Sequence, residues 1–144
     1  MKKLFILSFA AFALYSCGNT GKTVEEKVTT VLEEVAEEHN AKNSLDYKGT
    51  YKGTLPAADA EGMETTITLM DSTFTKDVVY IGKKGKFSDK GKYSWNEDGN
   101  TIILEGIKDA PNKYFVAENQ LIALDMDGKK ITGNLADKYI LKKQ

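Results

Sequence analysis

From Tyr47 to the end of the chain, hydrophobic and polar residues alternate with the period of two that is typical of β-strands. Turn-forming residues separate the alternating segments, and Asp127-Gly128 is the strongest hairpin signal among them. The pattern predicts eight or nine short strands, over residues 47–54, 64–70, 73–81, 86–95, 101–105, 113–117, 120–125, 130–132 and 138–141. Short strands in succession with no helix between them favour an antiparallel meander, and closure into a barrel removes its exposed edges. We therefore expect an all-β domain over residues 47–144, folded as a small antiparallel meander β-barrel.

A helical pattern precedes this domain, within an acidic segment of residues 18–46. Thr23 and Glu26 have the spacing of a capping box, which places the start of a helix there. The apolar residues recur at helical spacing, with glutamates on the opposite face: Val24, Val28, Val31, Leu32 and Val35. The segment is thus predicted to be a tether with an amphipathic helix over about residues 24–38. The helix is short and rich in valine, so it is marginally stable unless its valine stripe packs against a surface. Two alternatives remain open: the helix packs loosely on the barrel or forms a solvated stalk, or it pairs with a partner helix.

Residues 1–17 have the pattern of a signal peptide. Lys2 and Lys3 precede an apolar run, Leu4 to Leu14, which is too short to span a bilayer because a spanning helix needs about 20 residues. Cys17 follows this run directly, in the sequence Leu-Tyr-Ser-Cys, which resembles the lipobox of bacterial lipoproteins. The resemblance implies that Cys17 is lipidated and anchors the protein to a membrane. Gly18 stands where an aspartate would favour the inner membrane, which implies the outer membrane, with the protein facing the periplasm. The alternative to lipidation is that Cys17 is a thiol that lies by chance near a cleavage site.

The charged residues of the chain indicate which classes of partner it can bind. All 20 basic residues of the chain are lysines, so the bidentate phosphate contacts that arginine makes are not available. Residues 47–144 contain 15 lysines and 14 acidic residues, whereas residues 18–46 contain three lysines and seven acidic residues. Neither segment has the basic surplus of a nucleic-acid-binding domain. No nucleic-acid partner is expected.

One connection in the chain has an unusual composition. Residues 55–62 read Leu-Pro-Ala-Ala-Asp-Ala-Glu-Gly and join the first two predicted strands; we call residues 56–62 the signature loop. Pro56, Asp59 and Gly62 are expected to hold its shape, because proline and glycine adopt backbone geometries that other residues rarely adopt. Substitution of Pro56 or Gly62 is therefore expected to destabilise the domain.

The run from residue 51 to 69 resembles the opening motif of the NlpE N-terminal domain family, and the resemblance continues through residues 80–87, 91–95, 121–131 and 139–141. These proteins are envelope lipoproteins associated with copper resistance and envelope stress. The resemblance implies a lipocalin-like β-barrel, which agrees with the strand pattern. Members of the family commonly carry a Cys-x-x-Cys pair after Leu-Pro, but this chain has Ala57 and Ala60 at those positions.

The replacement of both cysteines changes the expected chemistry. Cys17 is the only cysteine, so a lipidated chain has no free thiol for a soft metal or for a redox disulfide. Met63 and Met70 are separated by an odd number of positions and are expected to point to opposite faces of a strand. Asp59 and Glu61 are too few for the six to eight oxygens of a calcium site, and a lone histidine, His39, cannot form a metal site by itself. We expect no metal and no other cofactor.

Two function hypotheses remain. The first is a non-enzymatic envelope lipoprotein that reports on envelope state or binds a partner protein. The alternative is a carrier of a small apolar ligand, because small barrels often hold one ligand. An interior filled by Tyr93, Trp95 and Tyr114 would favour the first, and a cavity of about 300 Å³ or more would favour the second. An enzyme is not expected, since the sequence contains no catalytic triad, phosphate loop or nucleophilic cysteine.

Overall fold

The computed structural model describes residues 39–108 and 111–144. Within them, eight strands form a closed antiparallel barrel in which each strand pairs with its neighbours in sequence and β8 pairs with β1. The strands are β1 (Gly49–Leu55), β2 (Met63–Leu69), β3 (Thr73–Tyr80), β4 (Lys86–Trp95), β5 (Thr101–Leu104), β6 (Lys113–Ala117), β7 (Gln120–Ala123) and β8 (Ile140–Lys143). A short helix α1 (Ala41–Ser44) precedes them, and a 3-10 helix (Ala136–Tyr139) precedes β8. The predicted meander β-barrel is confirmed, whereas the predicted helix over 24–38, the signal peptide and Cys17 lie outside the described residues.

The alternation in the sequence determines which side chains enter the barrel. On β3, the buried residues are Phe74, Lys76 and Val78, and the residues between them face outward. Their neighbours across β2 are also buried, since Ile67 lies opposite Lys76. The core that results is drawn from the strands and α1, all between residues 41 and 141, so the barrel contains its own hydrophobic core and has the anatomy of an independently folding unit.

Near the C-terminus, one predicted strand is not formed and the bounds of another differ from the prediction. Residues 130–132 do not form a strand, since Lys130 makes one isolated bridge to Leu124. The last strand begins two residues later than predicted, because residues 136–139 form the 3-10 helix. The long β7–β8 connection turns at Gly128 and Gly133, both at positive φ, and short apolar runs between such turns do not by themselves specify a strand.

Helix α1 covers one end of the barrel. The Ala41 amide donates to Asn100 Oδ1 at 2.9 Å, and the Lys42 amide donates to the Gly99 carbonyl at 3.0 Å. Both acceptors belong to the β4–β5 turn, and Ala41 itself is buried in the core. Helix α1 is therefore fixed across this end.

Aromatic side chains fill the interior beneath α1. Tyr47 packs edge-on against Trp95 with ring centroids 4.9 Å apart, and Trp95 meets Tyr93 in the same manner at 6.5 Å. The Tyr51 hydroxyl donates to the Tyr47 carbonyl at 2.7 Å, and that of Tyr93 donates to the Met70 carbonyl at 2.7 Å. Each buried hydroxyl thus has an acceptor, as burial requires. This half of the barrel is closed and packed.

Candidate functional site

A cavity of about 430 Å³ occupies the opposite half of the barrel and opens at the end that carries the signature loop. Its lining comes from β1 to β4 and from the β5–β6 connection: Leu55, Met63, Thr65, Lys76, Val78, Tyr80, Phe87, Asp89, Ile107 and Pro111. The volume lies within the range of about 300–1,000 Å³ that small-molecule sites have. The interior is therefore filled at one end, by Tyr93 and Trp95 among others, and open at the other.

Strand register explains the apolar wall of this cavity. Met63 on β2 lies opposite Leu55 on one side and Tyr80 on the other, and Val78 on β3 lies opposite Phe87 on β4. Directly opposed residues point to the same face of a sheet, so these side chains form a continuous apolar surface near the opening. Phe87 lies edge-on to Tyr80 with ring centroids 5.6 Å apart, and it is 58% exposed at the opening.

Lys76 is the charged group of the cavity. Its side chain enters the barrel between Phe74 and Val78, and the residue is only 2% exposed. The ammonium donates to the Pro111 carbonyl at 2.8 Å and lies 5.8 Å from the centre of the Tyr114 ring. Burial lowers the pKa of Lys76 from 10.5 to about 8, and this effect outweighs the opposing influence of the Asp89 carboxylate.

Asp89 lies directly opposite Lys76 across the β3–β4 pair, and its side chain borders the same cavity. Asp89 is exposed, however, and the salt bridges found among the described residues do not include Lys76. Solvent therefore screens the carboxylate while the ammonium is buried. The positive charge of Lys76 is only partly balanced by the protein around it.

The signature loop borders the opening of the cavity. The Asp59 carboxylate forms an ion pair with Lys83 in the β3–β4 turn, and this hydrogen bond holds the pKa of Asp59 below its usual value. Gly62 is buried and its carbonyl accepts from the Ile81 amide at 2.9 Å. Two contacts thus connect the loop to the neighbouring β3–β4 turn.

Gly62 does not adopt the special backbone geometry that the sequence suggested, since its φ is not positive. The reason for a glycine is instead close packing, because a Cβ at this position would lie 2.8 Å from Thr54 Cγ2 and 3.4 Å from the Leu55 carbonyl oxygen. Pro56, Ala57 and Ala60 are half-buried in the same loop.

The soft-metal candidates are not brought together. Met63 lines the cavity, whereas Met70 is 44% exposed after the end of β2. His39 is exposed before α1. Within residues 39–108 and 111–144, no group of three or more histidine, cysteine, aspartate or glutamate side chains could hold a metal ion. No helix in these same residues is long and apolar enough to cross a bilayer.

Sequence reasoning missed Lys76. Its signal was present in the strand pattern, because Lys76 occupies the same alternating phase as Phe74 and Val78. A lysine in the apolar phase of a barrel strand is uncommon, since lysine is almost never fully buried without a partner.

Comparison with known proteins places the chain in a family. The model of the NlpE N-terminal domain matches residues 51–134, which is more than half of the chain. The chain belongs to the NlpE N-terminal domain family. The protein called Lipoprotein NlpE of Escherichia coli strain K12 is 30% identical over 84 residues; these residues are 57% of this chain and 36% of that protein. The match therefore spans about a third of the relative.

The chain is also similar to solved structures. The crystal structure of a lipoprotein candidate from Shewanella oneidensis is 44% identical with a TM-score of 0.67, and the match covers 73% of this chain and 95% of that one. That structure consists almost entirely of the matched region, which supports the barrel as an independent folding unit. The crystal structure of NlpE from Escherichia coli, described as a Cpx pathway activator, is 27% identical with a TM-score of 0.49, over 60% of this chain and 46% of that one.

Proposed function

We propose that this member of the NlpE N-terminal domain family is a non-enzymatic, lipid-anchored envelope protein whose barrel binds a small apolar ligand. The cavity of about 430 Å³ carries the proposal, because it exceeds the lower size limit of ligand sites and its wall is mainly apolar. Helix α1 covers the other end, so a ligand would enter beside the signature loop.

The anchor in this proposal is Cys17, which joins the barrel to a membrane through the acidic tether. Two or three acyl chains hold a protein firmly, since each buried CH₂ contributes roughly 0.8 kcal/mol. The names of the relatives, both lipoproteins, support this assignment. The outer membrane, with the barrel in the periplasm, is the location that Gly18 favours. Copper chemistry through thiolates is not part of the proposal, because Ala57 and Ala60 replace the family's cysteines.

A dye-binding experiment with a cavity-filling variant tests ligand binding. The chain from residue 18 to 144, with its anchor removed, is titrated without detergent against the neutral apolar dye N-phenylnaphthylamine, whose fluorescence rises in an apolar site. Val78→Trp should abolish the fluorescence increase, because Val78 lines the cavity and tryptophan would occupy it. Val79→Trp is the matched control, since the neighbouring residue of β3 points away from the cavity.

The two variants separate binding from misfolding. Val79→Trp should bind the dye like wild type, and both variants should keep the thermal transition of a folded barrel in circular dichroism. Equal dye binding by wild type and Val78→Trp, or no binding by the folded wild-type protein, would refute the proposed function.

Partner-protein binding that reports on envelope state is the second candidate function. The observation that favours it is the 58% exposed Phe87 at the opening of the barrel, since large exposed aromatic side chains are frequent in protein interfaces. Crosslinking of the lipidated protein in membranes should then yield an adduct that Phe87→Ser abolishes and that Val79→Ser, on the outer face of β3, retains. An adduct of equal yield from all three proteins would count against a partner at this surface.

A further inference from the structure

We propose that the ligand of the barrel is a single-chain amphiphile with one carboxylate, and that this carboxylate binds the Lys76 ammonium inside the cavity. The inference rests on the proposed function, because it presumes that the cavity binds a ligand. It adds the chemical class of the ligand and the residue that selects it.

The hydrogen bonds of Lys76 leave capacity for a ligand. An ammonium has three N–H donors, and among the described residues the Lys76 Nζ has one acceptor, the Pro111 carbonyl at 2.8 Å. That carbonyl also accepts from the Tyr114 hydroxyl at 2.9 Å, so it is held in place independently of Lys76. The ammonium is therefore available to a second acceptor that enters the cavity.

The charge of that acceptor follows from burial. Transfer of an ammonium into an apolar environment is unfavourable unless an opposite charge accompanies it. Lys76 is 2% exposed, and Asp89, which lies opposite it on β4, is exposed and forms no salt bridge with it. An anion beside Lys76 would form a charge-assisted hydrogen bond of about 2.7–2.9 Å. The cavity thus favours an anionic group over a neutral one.

A carboxylate suits this site better than a phosphate. The cavity has one lysine in its lining and the chain has no arginine, so one negative charge can be balanced but a second cannot. Asp89 borders the same cavity and would repel an additional negative charge. A single carboxylate is therefore the head group that matches the one buried cation.

The apolar chain of the proposed ligand would extend from Lys76 toward the opening of the cavity. Along β3, Lys76 is the deepest residue of the cavity wall, and Val78 and Tyr80 follow toward the signature-loop end. The four residue steps from Lys76 to Tyr80 span about 13 Å, at about 3.3 Å for each step. Met63 and Phe87 stand opposite them on the neighbouring strands. A chain of medium length can extend along this surface with its carboxylate inward.

Matched amphiphiles test the inference by isothermal titration calorimetry. Decanoate, decanol and decyl phosphate are titrated at neutral pH into the chain from residue 18 to 144, without detergent. Wild type should bind decanoate at least about tenfold more tightly than either of the other two. Lys76→Met should lose this preference for decanoate while retaining its affinity for decanol, since methionine keeps an unbranched apolar side chain. Lys90→Met is the matched control on the outer face of β4 and should behave like wild type.

Each outcome decides between the claims. Equal affinity of wild type for decanoate and decanol, or unchanged decanoate binding by Lys76→Met, would overturn the carboxylate assignment and leave apolar ligand binding intact. Tighter binding of decyl phosphate would overturn the choice of head group. If no amphiphile binds, the inference is wrong, and the dye titration decides whether the proposed function is wrong as well. If Lys76→Met does not fold, Lys76→Gln replaces it, and the comparison of ligands on wild type still decides.

Discussion

Replacement of Lys76 by methionine removes a buried ammonium and keeps an unbranched side chain of similar length. The free protein should become more stable at neutral pH, although the substitution deletes a hydrogen bond. Burial lowers the pKa of Lys76 to about 8, whereas the unfolded chain retains the ordinary value of 10.5. The folded state therefore holds this proton less tightly than the unfolded state does.

The magnitude follows from linkage. Each pKa unit corresponds to about 1.4 kcal/mol, so the unfavourable burial of charge amounts to about 3 kcal/mol below pH 8. Loss of the hydrogen bond to Pro111 offsets about 1 kcal/mol of the gain, and the Tyr114 hydroxyl continues to satisfy that carbonyl. Lys76→Met should thus raise the free energy of unfolding by about 2 kcal/mol at neutral pH.

The advantage of the variant should disappear as the pH rises. Between about pH 8 and pH 10.5 the unfolded chain binds more protons at Lys76 than the folded chain, so wild type gains stability with pH and the variant does not. Burial raises the pKa of Tyr51 to about 12 and also raises the pKa values of Tyr93 and Tyr114. These tyrosines lower the stability of both proteins above about pH 10, and a comparison below that pH avoids their titration.

Urea unfolding provides the measurement, with the fluorescence of Trp95, the only tryptophan, as the probe. The difference between Lys76→Met and wild type should fall by about 2 kcal/mol from about pH 7 to about pH 9.5. Lys90→Met, exposed on β4, should stay within about 0.5 kcal/mol of wild type. A difference that does not change with pH, or a variant less stable than wild type at neutral pH, would refute the assignment of Lys76 as an incompletely balanced buried cation.

Three further predictions concern the loop and the anchor. Gly62→Ala should lower the free energy of unfolding by about 1 kcal/mol or more, because the added Cβ would lie 2.8 Å from a neighbouring side chain. Pro56→Ala should lower it by about 0.4–1 kcal/mol, because alanine raises the conformational entropy of the unfolded chain. Urea unfolding curves equal to wild type for both variants would contradict a structural role for the loop. A palmitate analogue should label the wild-type protein in cells and not Cys17→Ser, and an unlabelled wild type would exclude lipidation. Titration of the unanchored barrel with Cu(I) should show no thiolate charge-transfer band, because Ala57 and Ala60 lack thiols; sub-nanomolar affinity would overturn this.

The barrel was predictable because its alternation is long and its turns are chemically distinct. Strand β4 was predicted with its observed bounds, Lys86–Trp95, since a turn with two glycines precedes it and a turn that contains Asp98-Gly99 follows it. The β7–β8 connection was not predictable, because its apolar residues, such as Ile131, are few and lie between glycine turns. Such a segment has the local pattern of a strand without a partner strand to pair with.

The candidate site was predictable only in part. The sequence identified the signature loop, which the structure places at the opening of the cavity. It predicted a special backbone geometry at Gly62, whereas the structure shows that close packing requires the glycine. The cavity itself depends on which inward side chains are long enough to meet across the barrel, and a period-two pattern does not contain that information. Lys76 occupies the apolar phase of β3, but a charge count over residues 47–144 does not distinguish a lysine inside the barrel from one on its surface.

Lys76 also connects stability with ligand selection. An apolar residue at this position would complete the wall and, by the linkage argument, would stabilise the free barrel by about 2 kcal/mol. A carboxylate bound to the ammonium would offset the unfavourable free energy of burying this charge, so binding would stabilise the barrel. A neutral ligand gains nothing from Lys76 and buries it further. The incomplete charge balance at Lys76 therefore connects the stability of the free barrel with the proposed preference for an anionic ligand.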